Sequence, residues 1–243
     1  SQDRLDMLTV LTTVDIRAVG PGIWNDWKGV LLRNLYQATS AYLDGHKELA
    51  PVSRAAAAKE QLLEKLSPEM GARITSIISD LGPNYWLNFD MADLVRHARF
   101  FDQSLEAGHD NAVQTRRNRG NDITELWVLT RNRPQLFADL TRAISACGAS
   151  IIGARLHTGK NGRVMNVFYL QNPTGHAFGR QSDHALETLR RRARQAAEDT
   201  VEGLKIPKAV KSLRATAIPV RPKVRYSDAA SGDITILEIE ARD

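Results

Sequence analysis

Few side chains in this 243-residue chain could carry chemistry, and most of them stand alone. Cys147 is the single cysteine. It precedes Gly148 at the end of a helical pattern and reads as a small buried apolar residue rather than a nucleophile. His109-Asp110 has the look of a metal-site pair but is a decoy: it lies after the helical region, between Gly108 and Asn111, and reads as a loop. Asp15, near Arg17, is on its own a helix-end acid. Arg190, Arg191, Arg192 and Arg194 crowd one helix, and Lys205, Lys208, Lys211, Arg214, Arg221, Lys223 and Arg225 follow. Such a run could attract nucleic acid; a solvated helix face followed by a basic linker explains it more simply. The polar run Asn132-Arg-Pro-Gln135 sits between a strand pattern and a helix pattern. That is where backbone donors become available to a ligand.

The elements positioning that turn are the clearest in the chain. Ile123 to Thr130 alternates, with Leu126 and Val128 on one face of a strand. Pro134 suits the first turn of the next helix because its missing N–H needs no partner there. Leu136, Phe137, Leu140 and Ile144 form that helix's apolar stripe, and Gly148 is its left-handed stop. Ser150 to Leu156 is a second strand, Gly159-Lys-Asn-Gly162 a hairpin turn, and Arg163 to Leu170 a third strand. A second helix from about Ser182 to Glu202 carries Leu186, Leu189, Ala193 and Ala197. One more strand would complete a βαββαβ sandwich with two helices on one face of the sheet, an α+β, ferredoxin-like arrangement. An RNA-recognition module of the same topology needs base-stacking aromatics in a Lys/Arg-Gly-aromatic pattern, which the strand Arg163–Leu170 lacks. Nucleic acid is therefore not an expected partner.

Upstream, Asp3 to Arg17 reads as a helix with Leu5, Leu8 and Leu11, broken by Gly20-Pro-Gly22. A second helix from Asn25 or Asp26 to Leu43 carries Trp27, Val30, Leu31, Leu35 and Tyr42 and ends at Gly45. Three more helices are expected before Ala107, with Ser53, Ser67 and Asp90 as N-caps and Pro68 at an N1 position. Tyr85-Trp86 could face a ligand, but core packing is its expected use. Ala112 to Arg116 reads as an edge strand. At 42% hydrophobic and 25% charged residues, net charge +5, the composition is that of a soluble globular protein. No run of about 18 or more apolar residues occurs, so no membrane span is expected. The polar start Ser1-Gln-Asp-Arg does not read as a signal peptide, the lone cysteine favours a reducing compartment, and a cytoplasmic location follows as the expectation. The missing initiator Met points to a fragment or a processed chain.

Leu129-Thr-Arg-Asn-Arg-Pro-Gln-Leu-Phe137, followed by Gly148-Ala-Ser-Ile-Ile-Gly-Ala-Arg-Leu-His-Thr158, resembles an ACT domain, a module that in its family binds amino acids and regulates an attached enzyme. The family's usual Asp-Arg-Pro-Gly stands here as Asn132-Arg-Pro-Gln135, and loss of the glycine removes a position where a ligand could approach the backbone closely. The run from Leu11 to Gly29, Leu-Thr-Thr-Val-Asp-Ile-Arg-Ala-Val-Gly-Pro-Gly-Ile-Trp-Asn-Asp-Trp-Lys-Gly, resembles the end of the HD hydrolase domain in bifunctional uridylyltransferase/uridylyl-removing enzymes. The resemblance implies that Asp15 is the last ligand of a divalent metal, Mg or Mn, that activates water for phosphodiester hydrolysis. It also implies a parent enzyme that takes UTP, modifies the PII signal protein and responds to L-glutamine. The effector would contact Asn132, Arg133, Gln135 and Leu136. The remaining ligands and the nucleotidyltransferase signature are absent from this chain, so the fragment is expected to be catalytically incomplete.

The same resemblance suggests a division into residues 1–45 (end of the HD domain), 46–110 (helical connector), 111–226 (first ACT domain with its basic linker) and 233–243 (first strand of a second, truncated ACT domain). The last assignment has support in the residues themselves. Asp122-Ile-Thr-Glu-Leu-Trp-Val-Leu-Thr-Arg-Asn132 matches Asp233-Ile-Thr-Ile-Leu-Glu-Ile-Glu-Ala-Arg-Asp243 at a constant offset, and Lys223 to Tyr226 stands where Val113 to Arg116 stands in the first copy. A lone strand from Ile234 to Ala241 cannot bury its apolar face. It is expected to pair with the first ACT sheet or with a second chain, giving self-association. Two other readings stay open: the regulatory part of another HD-type hydrolase, such as a ppGpp synthetase/hydrolase, and an ACT module that binds no ligand.

Overall fold

The computed structural model describes residues 1–19, 24, 26–43, 51–108, 111–198, 223–228 and 235–240. Helices α1 (Gln2–Ala18) and α2 (Asp26–Leu43) form an antiparallel-type pair joined by polar contacts. Gln2 Nε2 donates to Tyr36 Oη at 3.0 Å, and Tyr36 Oη to Asp6 Oδ1 at 2.8 Å. The Arg17 guanidinium lies 5.6 Å from the centre of the Trp24 ring. No residue of α1 is buried, and Leu8 and Leu11 of the expected stripe are exposed.

Helices α3 (Pro51–Glu64), α4 (Pro68–Ile78), α5 (Pro83–Asn88) and α6 (Met91–Glu106) follow. Ser67 Oγ accepts from Met70 N–H and Asp90 Oδ1 from Asp93 N–H, so both act as the expected N-caps. Ser53 does not: α3 already starts at Pro51, whose fixed φ suits the first helical position, which leaves Ser53 inside the helix. Pro83 likewise opens α5 where the sequence reads only as an interruption, making four helices in place of three.

Strands β1 (Ala112–Asn118), β2 (Ile123–Arg131), β3 (Ser150–Thr158) and β4 (Arg163–Gln171) form an antiparallel sheet of order β1-β2-β4-β3. Helices α7 (Leu136–Ala146) and α8 (Asp183–Glu198) interrupt and follow it. The fold is α+β, as the sequence indicates. The strand that completes the sheet, however, precedes the rest. Among the described residues the order is ββαββα, with β1 pairing antiparallel to β2 (Ala112 with Leu129, Asn118 with Ile123) in the place expected for a strand after α8. The Gly120 turn between β1 and β2 is short, so the hairpin forms locally and occupies that edge.

The sheet is covered on both faces. Leu126, Val128, Phe168 and Leu170 pack against Leu140 and Ile144 of α7 and Leu189 and Ala193 of α8. The alternate side chains Ile123, Trp127, Leu129, Met165, Val167 and Tyr169 pack against Tyr85, Trp86, Leu94, Ala98 and Phe101 of the preceding helices. Residues expected to be a connector thus form a structural layer, and Tyr85-Trp86 is core, as expected. Strand β2 accordingly has eight consecutive buried residues, the pattern of a strand enclosed on both sides.

Strands β5 (Lys223–Asp228) and β6 (Thr235–Glu240) form a separate antiparallel hairpin within a second unit, Lys208–Asp243. This corrects the expectation that the last strand pairs with the first sheet or another chain: its partner is the segment just upstream. The hairpin repeats the register of β1–β2. Lys223 pairs with Glu240 and Val224 with Ile239, as Ala112 pairs with Leu129 and Val113 with Val128, so Lys223 corresponds to Ala112 and not, as the sequence comparison has it, to Val113. No helix among the described residues is long and apolar enough to cross a membrane.

Candidate functional site

The turn from Asn132 to Leu136 leaves β2 and enters α7 through an unusual backbone. Pro134 lies just outside the helix rather than in its first turn, because Gln135 takes the N-cap position with φ 65° and ψ 0°. This left-handed conformation is one that glycine adopts freely and a glutamine adopts at a cost. The sequence departs from the ACT pattern at this residue, yet the backbone keeps the glycine-type geometry. No side chain caps α7. Leu136 N–H reaches Arg133 O at 3.3 Å and Asp139 N–H reaches Gln135 O at 2.9 Å, while the N–H groups of Phe137 and Ala138 find no acceptor among the described residues. Two uncapped donors at a helix N-terminus suit a carboxylate.

The four candidate residues divide into two kinds. Asn132 and Gln135 are exposed, with their carboxamides free to meet solvent or a ligand. Arg133 is committed inward: its Nη1 donates to Asp139 Oδ2 at 2.8 Å and its Nη2 to Ala196 O at 2.6 Å. Asp139 is 1% exposed, so the guanidinium joins the start of α7 to the end of α8 across a buried carboxylate. Leu136 is 3% exposed and belongs to the core. The structure brings Asn132 and Gln135 to one edge of the turn, but turns Arg133 and Leu136 away from it. Asn132 N–H also donates to Gly162 O at 2.7 Å, tying this turn to the β3–β4 turn.

Asp15 is exposed near the end of α1, and no three side chains of the His, Cys, Asp and Glu type converge among the described residues. The described residues by themselves do not make a metal centre. His109-Asp110 lies outside the described residues. Cys147 is half-buried, and burial raises its thiol pKa despite the nearby Arg192, which removes the thiolate a nucleophile needs. The basic helix is less solvated than its composition reads. Arg190 donates to Thr115 Oγ1 at 2.8 Å and Arg192 to Ala146 O at 2.6 Å, so two of its arginines hold α8 against β1 and α7.

A second constellation carries no sequence signal because its members are far apart in the chain. Asp122, at φ 46° in the β1–β2 turn, accepts from Ala177 N–H at 3.1 Å and lies 2.7 Å from His176 Nδ1 and 3.6 Å from Arg180 Nη1. Partial burial raises the Asp122 pKa, but these three partners outweigh it and hold the carboxyl below its usual range. Beside it, Arg117 donates twice to Gly179 O and pairs with Asp183 at 2.6 Å.

Fold and site define an α+β domain whose four-stranded sheet is enclosed by helices, with uncapped backbone donors at the β2–α7 turn. By sequence, the chain is similar to a segment of proteins named bifunctional uridylyltransferase/uridylyl-removing enzyme. It is 34% identical over 249 residues to the protein of that name from Caulobacter vibrioides, covering 99% of this chain and 26% of the relative. It is 35% identical over 252 residues to that of Phenylobacterium zucineum, and 31% identical over 252 residues to that of Rhodopseudomonas palustris. These matches cover 100% and 99% of the chain and 26% of each relative. The chain thus spans about a quarter of the length of the curated relatives it matches. No protein-family profile matches it, and no solved structure does.

Proposed function

We propose that this chain is the regulatory, glutamine-sensing segment of a bifunctional enzyme that uridylylates the PII signal protein from UTP and removes the uridylyl group again. The observation that carries the reading is the match of the whole chain to a quarter-length segment of enzymes with that pair of activities. In the full-length protein Asp15 would contribute one carboxylate to a divalent metal site, Mg or Mn, whose other ligands lie outside this chain. Such a metal lowers the pKa of a bound water for attack on a phosphodiester.

The β2–α7 turn is where glutamine would act. Its α-carboxylate meets the free N–H groups of Phe137 and Ala138, and the carboxamides of Asn132 and Gln135 are available to its side-chain amide. Arg133 positions the turn by holding α7 to α8. The Asn132 bond to Gly162 passes any movement of the turn to the β3–β4 hairpin and, through it, to the helical layer. Glutamine then shifts the enzyme between its two activities by favouring one arrangement.

A competing reading, a module that only holds its neighbours together, draws on the inward commitment of Arg133 and Leu136. Thermal unfolding separates the two. A ligand at about 100 times its Kd adds about 2.7 kcal/mol to native stability. A rise in Tm with millimolar L-glutamine, absent with L-glutamate and D-glutamine, is expected for a sensor. A flat response to all three leaves the scaffold reading.

A further inference from the structure

The Asp122 constellation borders two cavities that the β2–α7 turn does not touch. The first, of about 390 Å³, is lined by Arg117, Arg119, Asp122, Ala177, Arg180 and Gln181. Its charge is unbalanced. Asp122 is already shared between His176 and Arg180, and Arg117 has only Asp183, whose side chain is 91% exposed and so pairs weakly. Arg119, in the turn itself, has no hydrogen-bond or ion-pair partner among the described residues. Three guanidinium groups therefore face one cavity with one fully engaged carboxylate between them. Two backbone bonds to Gly179 O fix the fork of Arg117 before any ligand arrives. The second cavity, of about 570 Å³, adjoins the first across Arg180 and Gln181, and its wall includes Pro173, Phe178 and Ala185.

We propose that these adjoining cavities bind a phosphate monoester of nucleotide size, with the phosphoryl group on Arg117, Arg119 and Arg180 and the organic part against Pro173, Phe178 and Ala185. A dianion matches the excess of positive charge better than a carboxylate, and planar guanidinium forks suit tetrahedral oxyanions. The neighbouring apolar wall explains why a free phosphate would use half of the site. Because the loop from Asn172 to Ser182 supplies both walls and meets α8 at Asp183, a bound phosphoryl group displaces Asp183 from Arg117 and draws the loop toward the β1–β2 turn.

Isothermal titration of the chain with UMP, inorganic phosphate and uridine, at constant ionic strength, tests the assignment. Saturable binding of UMP, at least tenfold weaker binding of phosphate and none of uridine are expected. Arg119→Gln, at a site without structural partners, should weaken UMP binding at least tenfold without moving Tm. Arg99→Gln, exposed on α6, should leave it unchanged. No saturable UMP binding, or binding that Arg119→Gln leaves intact, overturns the proposal. Phosphate binding as tight as UMP overturns the role given to the second cavity. The outcome is independent of glutamine binding, since the two sites share no residue.

Discussion

Asn161, in the β3–β4 turn, donates its backbone N–H to Asp80 Oδ1 at 2.8 Å, joining the helical layer to the sheet. Lys160 N–H reaches Asp80 O at 3.4 Å beside it, and Gly159 packs so closely that a Cβ there would lie 1.8 Å from Asp80 Oδ2. The carboxylate and the turn are fitted to each other.

That fit predicts a non-additive pair of substitutions. Asp80→Ala leaves the turn's N–H without its acceptor and should cost about 1–3 kcal/mol. Gly159→Ala should cost a similar amount, about 1–3 kcal/mol, by overpacking. In the Asp80→Ala background the Gly159→Ala cost should shrink to the residual approach to Arg163 O at 3.2 Å. Urea denaturation of the four chains gives the coupling energy. Simple additivity would mean that the two residues do not share this contact.

Gln135 gives a test of backbone strain. Gln135→Gly should raise stability by about 0.5–1 kcal/mol, because relief of the left-handed conformation exceeds the extra entropy of an unfolded glycine. Gln135→Val should lower it by more than about 1 kcal/mol, since a β-branched residue fits φ 65° poorly. The reverse order would show that the turn relaxes to another backbone.

Arg133 should prove to be a structural residue. Arg133→Ala leaves Asp139 buried with, among the described residues, Arg142 at 3.7 Å as its cation, and should cost about 3–5 kcal/mol. Arg133→Lys should recover little, because an ammonium cannot span both Asp139 Oδ2 and Ala196 O. A melting temperature unchanged by Arg133→Ala would contradict the α7–α8 bridge.

Two buried histidines should make the fold acid-sensitive. His97 meets Tyr85 Oη at 3.0 Å between α6 and the sheet, and burial, with Arg116 and other cations adding to it, lowers its pKa to about 3. Burial, helped by Arg155, lowers His157 to about 4. Both values lie below that of an unfolded histidine, so below about pH 6.5 the unfolded chain takes up protons that the native one refuses. Their contribution is complete above that pH and is lost as pH falls toward about 4 and then 3. Replacing His97 by Gln should flatten the loss of Tm between about pH 6.5 and pH 4. An unchanged slope would assign the acid sensitivity to other groups.

Much of this architecture is legible in the chain. The alternation around Leu126 and Val128, the stripe Leu136, Leu140, Ile144, and the stops at Gly148 and Gly162 place β2, α7 and the β3–β4 turn where they are found. Phe137 is the exception in the stripe, at 47% exposure. What the pattern hides is the second covered face. Trp127 and Leu129, like Met165 and Val167, interleave with the residues facing α7 and α8, and a strand apolar on both sides was the available sign of two layers. The completing strand is legible as an edge strand, since Ala112 to Arg116 reads as one and β1 lies at the sheet edge; what the βαββαβ pattern hides is that this strand fills the edge expected for one after α8. The Asp122 constellation leaves no trace at all, since its partners are joined by tertiary packing and not by spacing.

The most direct test of a glutamine sensor is the response of two backbone amides. Titration of isotope-labelled chain with L-glutamine, followed by amide chemical shifts, should move Phe137 and Ala138 saturably, with smaller shifts at Asn132 and Gly162. D-glutamine and L-glutamate should leave them in place. If Phe137 and Ala138 stay unmoved by L-glutamine, or move equally with all three, the β2–α7 turn is not an effector site and the sensor reading of this segment fails.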